Sequence, residues 1–256
     1  MPTASIPANS LTVALLLLLP VSLMATPADA GSVVTADTTT AGQSGTASSL
    51  QPFRIQYKTR YELGWFSFDI DGERQLEALP DNRWRFSFNA EASIASLQES
   101  SEFTLHEQQI QPLNYRFQTT GLLNKPTETL LFSPESQQII DAQNNHHYTD
   151  QWQPGIQNNL SFMLQISLDL AQGKTELHYP VFDRNKIREL RFEILGEETI
   201  NTPLGQLQAI KIQQIRSNSK REIFAWLAPQ HQYQMVRLAY HEKGKLRYRI
   251  DVSSIE

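Results

Sequence analysis

From Phe53 onward, apolar and polar residues alternate one by one. Phe53, Ile55, Tyr57, Tyr61 and Leu63 are interleaved with Arg54, Gln56, Lys58, Arg60 and Glu62. A period of two places the first set on one face of a β-strand and the second on the other. At Gly64 the phase slips, and Phe66, Phe68 and Ile70 become the apolar set. A glycine at such a slip predicts a β-bulge or a sharp bend in a long strand. Asp71-Gly72 then predicts a hairpin turn, because glycine tolerates the positive φ that tight hairpins require. Trp84, Phe86, Phe88 and Ala90 alternate with Arg85, Ser87 and Asn89, which predicts the next strand. Residues 103–106, 115–119 and 127–132 continue as strands between polar turns, with Pro112 marking a break or an edge position.

One segment has a different period. Leu160, Met163, Leu164, Leu168 and Ala171 recur at helical spacing, Pro154-Gly155 ends whatever precedes them, and Gly173 stands where a C-terminal cap belongs. The spacing predicts a helix over 157–172, with Leu160, Leu164 and Leu168 on an inward stripe and Asn159 and Gln165 facing out. Strand patterns resume at Leu190/Phe192/Ile194, at 207–212, 223–227 and 235–240, and at Leu246/Tyr248/Ile250/Val252. Many strands with one wet face and a single helix among them predict a mainly β fold: an antiparallel sheet carrying one inserted helix.

The N-terminus carries an export signal. Leu11 to Met24 is an almost unbroken apolar run, followed by Ala28-Asp29-Ala30, a small-x-small pattern that predicts cleavage after Ala30. Residues 1–10 hold no Lys or Arg, a departure from the usual charged start. The run is short for a bilayer core of ~30 Å, so no permanent membrane span is expected after cleavage. Residues 31–51 are mostly small and polar, which predicts a flexible leader, and 52–256 then read as one β-rich domain. The expected location is the periplasm.

The second half resembles a known family. Asn201-Thr202-Pro203-Leu204-Gly205-Gln206-Leu207-Gln208-Ala209-Ile210-Lys211-Ile212 is similar to the turn-and-strand of the bacterial domain-of-unknown-function 3108 family. Trp226-Leu227-Ala228-Pro229, followed by Val236-Arg237-Leu238, resembles its closing strands, although Gln234-Met235 stands where the family tends to carry a further proline. The opening Tyr57 to Gly64 stretch and the inserted helix fit it as well. The resemblance implies the architecture of the periplasmic lipoprotein carriers, whose curved antiparallel sheet wraps a helical plug in an unclosed half-barrel. It implies no catalytic residues, because the family has none established.

Composition narrows the function. The formal charge is −5, from 22 Lys+Arg against 27 Asp+Glu, which gives no electrostatic reason to expect nucleic acid. With no cysteine there is neither a disulfide, nor a thiolate metal site, nor a thiol for a lipid anchor. His146, His147 and Asp150 form the densest group of potential metal ligands, but neighbours on a strand face opposite ways. They read as a polar loop before the helix. Asp69 and Asp71 before Gly72 lack the other oxygens of a calcium loop. No G-x-S-x-G elbow or phosphate-cradling glycine loop occurs outside the leader, so no catalytic residue, metal or cofactor is expected. Lys243, Lys245, Arg247 and Arg249 read as a solvated strand face.

The aromatic residues of the first strands are the remaining candidates. Trp65, Phe66, Trp84, Phe86, Phe88, Phe103 and Tyr115, together with Leu160, Leu164 and Leu168 of the helix, either fill the core or line a cleft between sheet and helix. The expectation is a non-enzymatic periplasmic half-barrel that binds a lipid, a lipoprotein acyl chain or another apolar ligand. The alternative is an envelope assembly protein that pairs an exposed sheet edge with a partner strand.

Overall fold

The computed structural model describes residues 50–63, 66–123, 125–217 and 220–256, and at 60–63 and 66–68 the backbone alone. The expected signal peptide, nearly all of the expected leader, the phase slip at Gly64 and the candidate Trp65 lie outside the described residues. Leu50, two positions ahead of the expected start of structure, already packs against the core.

Fourteen antiparallel strands form one sheet. The first eight are β1 (Phe53–Leu63), β2 (Phe66–Ala78), β3 (Arg83–Ala92), β4 (Ala95–His106), β5 (Gln109–Gly121), β6 (Glu128–Ser133), β7 (Gln138–Asp141) and β8 (His146–Tyr148). The helix α1 (Ser161–Ala171) follows. The remaining strands are β9 (Leu177–Asp183), β10 (Lys186–Thr202), β11 (Gly205–Ile215), β12 (Arg221–Ala228), β13 (Gln234–Glu242) and β14 (Lys245–Ile255). Each strand pairs with its sequence neighbours, with two exceptions: β1 joins β14 at the centre, and β8 and β9 are left as the edges. The antiparallel sheet with one inserted helix is what the sequence pattern predicts, and its barrel-like form without closure is what the resemblance implies.

The connection from β8 to β9 fills the gap. Gln157 donates its amide to the Pro180 carbonyl at 2.8 Å and accepts from the Phe182 amide at 2.9 Å, so one residue of this segment extends the β9 edge in parallel. That use of Gln157 explains why the helix begins at Ser161, four residues later than its spacing predicts. Asn158 then caps it: its Oδ1 accepts the amides of Leu160 and Ser161 at 3.0 and 2.9 Å. At the other end Gly173, with φ +74°, lets the amides of Gly173 and Lys174 reach back to the carbonyls of Leu170 and Asp169. This is a Schellman ending at the glycine the sequence marks.

The helix is buried on all sides, which corrects the expected orientation of Gln165. Leu160, Leu164 and Leu168 pack into the larger core cluster, while Phe162, Ile166 and Leu170 pack into a second one with Leu177, Val181 and Leu190. Gln165 is fully buried between them, bonded to β5 and to Asp169. Asn159 is only partly buried and bonds Asp183.

Three other expectations are corrected. Asp71-Gly72 is not a turn but the middle of β2, paired with Lys58 and Tyr57 on one side and Glu91 and Ala90 on the other. A Cβ at Gly72 would stand 3.5 Å from both the Phe88 ring and Tyr57, which is ordinary contact distance, so packing does not demand the glycine there. β1 and β2 pair antiparallel from Phe53↔Leu76 to Leu63↔Phe66. Pro112 lies within β5, opposite the bulge at Phe103, on a stretch that β6 does not cover; there its missing N–H costs no ladder bond. Residues 146–148 form the short edge strand β8 rather than a loop.

Candidate functional site

The sequence candidates that the structure describes all reside in the larger core. Phe86, Phe88, Phe103, Tyr115, Leu160, Leu164 and Leu168 are buried in one contiguous cluster, and Trp84 packs partly buried against it. For Phe66 only the backbone is described. The structure thus brings the first strands and the Leu160/Leu164/Leu168 stripe together as packed neighbours.

A half-open cleft lies on the opposite side of α1, in the second half of the sheet. It measures about 70 Å³. Phe162, Met163 and Ile166 form its helical wall, and its floor includes Phe192 of β10, Ile212 of β11 and Leu227 of β12. The Phe162 and Phe192 rings stack at 6.1 Å and 21°, holding the helix to β10. Met235 and Leu238 of β13 also line it, and two polar side chains reach the lining, Arg74 from β2 and Gln214 from β11. None of the described candidates named from sequence lines this cleft.

Arg74 is the unusual member. It is only 5 % exposed. Its Nη2 approaches the Met163 sulfur at 2.8 Å, and its Nε has no hydrogen-bond partner. The guanidinium carbon sits 5.7 Å from the centre of the Tyr57 ring and 5.9 Å from that of Phe88. Tyr57 is fixed in turn by donating to the Met235 carbonyl at 2.7 Å. Burial raises the Tyr57 hydroxyl pKa, and the Arg74 charge offsets only part of that rise.

A second buried group shares the same row of the sheet. The register Arg74↔Phe88↔Glu99↔Phe117↔Glu128 crosses β2 to β6. Glu99 is 2 % exposed and accepts the Tyr115 hydroxyl at 2.6 Å on one oxygen, while the other has no partner. Burial pushes the Glu99 carboxyl up to about 8, against the Tyr115 bond and the Arg74 charge, which favour ionisation. Glu128 is pushed up to about 7 by burial and by the nearby Asp183 and Asp141. Sequence reasoning missed both Arg74 and Glu99. The signal was present: Arg74 shares the inward phase of Ile70, Gly72 and Leu76, and Glu99 that of Leu97 and Phe103.

The histidine pair does not converge. The His146 ring meets Tyr148 edge-on at 4.4 Å, while His147 Nδ1 faces Gln138 Oε1 at 2.9 Å. Among the described residues no group of three potential ligands is placed to hold a metal ion.

The fold is similar to solved structures across most of its length. A β-barrel-like protein of the DUF1849 family from Brucella abortus superposes with a TM-score of 0.53 at 8% identity, over 80% of this chain and 97% of that one. A candidate lipoprotein from Parabacteroides distasonis aligns at 10% identity over 81% and 96%, with a TM-score of 0.33. A candidate outer membrane lipoprotein-sorting domain from Vibrio parahaemolyticus aligns at 9% identity over 80% and 84%, with a TM-score of 0.23. The first establishes a shared architecture and nothing about chemistry. No curated protein matches the sequence. The sequence family matches residues 52–250, spanning both halves of the sheet and the helix between them, and the chain belongs to DUF3108, a family of proteins of unknown function.

Proposed function

We propose that this chain is a non-enzymatic protein of the bacterial envelope that binds an apolar or amphipathic ligand between α1 and the second half of the sheet. The observation that carries this reading is the cleft under Phe162, Met163 and Ile166, apolar on nearly every side and reached by two polar side chains. Such a composition, with few polar groups set in an apolar lining, is typical of sites for apolar ligands. Export with residues 1–30 as a cleaved signal peptide, and residues 52–256 acting as one domain, complete the proposal. Among the described residues no helix is long and apolar enough to cross a membrane.

The test is native mass spectrometry of the gently purified protein, followed by titration with an apolar fluorescent probe. A co-purifying lipid-sized adduct that the probe displaces supports the reading. A protein that carries no adduct and binds no probe overturns it.

One observation favours a second reading. β9 pairs with β10 only as far as Phe192, so among the described residues no strand covers that edge at 193–202. A partner strand would pair there. The stretch carries Glu193, Glu197 and Glu198, charges of the kind that discourage indiscriminate edge pairing. Replacing Glu197 with Pro would block strand addition and leave probe binding untouched, which separates the two readings.

A further inference from the structure

We infer that the ligand is an anionic amphiphile whose carboxylate or phosphate head is held by the Arg74 guanidinium while its alkyl chain lies along Phe162, Phe192 and Leu227. The inference rests on the ligand-binding reading above and specifies the ligand class.

The guanidinium stays charged at any physiological pH. Burying such a charge is costly unless it is paired and fully hydrogen-bonded. Arg74 is neither. Among the described residues no carboxylate comes within ion-pair distance of it, and the groups that face its donors are uncharged, the Met163 thioether and the Tyr57 hydroxyl. The Nε donor is unused. Tyr57 and Phe88 cover the guanidinium and hold it in place. Glu99, two strands away, does not supply the missing charge, because its carboxyl remains protonated through neutral pH. Arg74 lines the same cleft as the apolar wall of α1. A charged donor with a free N–H, set in an apolar cleft, matches a head group able to accept two parallel N–H bonds, as carboxylates and phosphates do.

Room for the chain comes from methionine. At about 70 Å³ the cleft is under half the roughly 150 Å³ that houses a benzene-sized guest. Met163 occupies Arg74 Nη2, and Met235 is part of the cleft lining. Both are unbranched, with rotamers that change readily. An incoming head group that takes the Met163 sulfur's place on Nη2 would release that side chain and lengthen the cleft.

The experiment compares three ten-carbon ligands on the full chain by titration calorimetry below their aggregation concentrations: decanoate, decyl phosphate and decanol. The expected result is that at least one anion binds tenfold or more tightly than decanol, and the tighter of the two identifies the head group. Arg74→Met should abolish that preference while decanol affinity stays within about twofold. If decanol binds the wild type as tightly as both anions, the anchoring role falls while the apolar site stands. If none of the three binds, both readings fall. A second measurement guards against misfolding: with no ligand present, Arg74→Met should keep or raise the melting temperature, since an unpaired buried charge is being replaced by an apolar side chain of similar length. A marked drop in melting temperature would show that the guanidinium has a structural partner, and would overturn the inference.

Discussion

The Ile110 amide donates to Gln165 Oε1 at 2.8 Å, tying the plug helix to the wall of the half-barrel. Ile110 lies on the stretch of β5 that β6 leaves uncovered, so its backbone has no ladder partner on that side. Its carbonyl is satisfied in the same way, by Gln157 Nε2 at 3.0 Å. Two glutamine side chains therefore do the work of a missing strand, and buried backbone groups without such partners are rare.

Gln165→Leu is expected to cost about 2–3 kcal/mol, because it strands the Ile110 amide and also removes the donors to Gln108 and Asp169. Urea denaturation measures it. A change below about 0.5 kcal/mol would mean that water or a neighbouring group replaces the glutamine.

Leu164 is 1 % exposed within the filled half of the interior. Leu164→Ala should cost about 2–5 kcal/mol through lost burial and a residual void. The cleft lies on the other face of α1, so probe binding should be unaffected. Paired denaturation and probe titration check both expectations. Loss of binding with little loss of stability would place the ligand against Leu164, not against Met163.

Glu99 makes stability depend on pH, and the sign is fixed by the direction of its shift. The folded carboxyl titrates near 8 and the unfolded one near its ordinary value of 4.5. Between those values the unfolded state releases a proton that the folded state keeps, so stability falls as pH rises and levels off above 8. Glu128, shifted to about 7, acts in the same direction. Glu99→Gln removes the first contribution. From pH 5 to pH 8 the variant should gain about 3 kcal/mol relative to wild type. Parallel urea melts at the two pH values measure this, and identical pH profiles would show that Glu99 titrates normally.

Where a strand has one buried face, its sequence displays it. Phe86, Phe88 and Ala90 alternate in the chain as they do in the core, and the 190–194 and 246–252 patterns likewise fall within β10 and β14. The turns were harder to see. Glu107-Gln108 and Arg184-Asn185 both take positive φ at two successive residues, the primed-turn conformation, without the glycine that normally advertises it. Asp71-Gly72 has the residues of a hairpin turn but sits in mid-strand, paired with β1 on one side and β3 on the other. β7 and β8 are too short to show a period. Gln165 was misassigned because a helix inside a barrel has no wet face, and a polar residue there must find protein partners. The cleft is illegible in the sequence because its lining joins the β10–β13 meander to α1 and to β2, and nothing in the sequence announces that those three come together. Arg74 and Glu99 could have been found: a charge in the apolar phase of a strand is legible once the phase is taken seriously.

The pairing of β1 with β14 bears on how the fold is made. Ile55 and Ile255, 200 positions apart, are partners in the middle of the sheet, and Arg54 and Glu256 exchange backbone bonds at 3.0 and 2.8 Å. Every other neighbouring pair of strands is adjacent in sequence and can zip as a local hairpin or meander. This seam cannot form until residue 256 has emerged from whatever is delivering the chain. Two sequence-local half-sheets therefore await their joint, each exposing a strand that will end up central. Such edges are open to wrong partners while they wait. Closing so long a loop is also the slow, entropically costly step of folding. Once closed, the seam leaves residues 54 and 256 side by side. A permuted chain that joins them and opens between α1 and β9 would leave every neighbouring pair of strands adjacent in sequence, and would fold faster to the same structure.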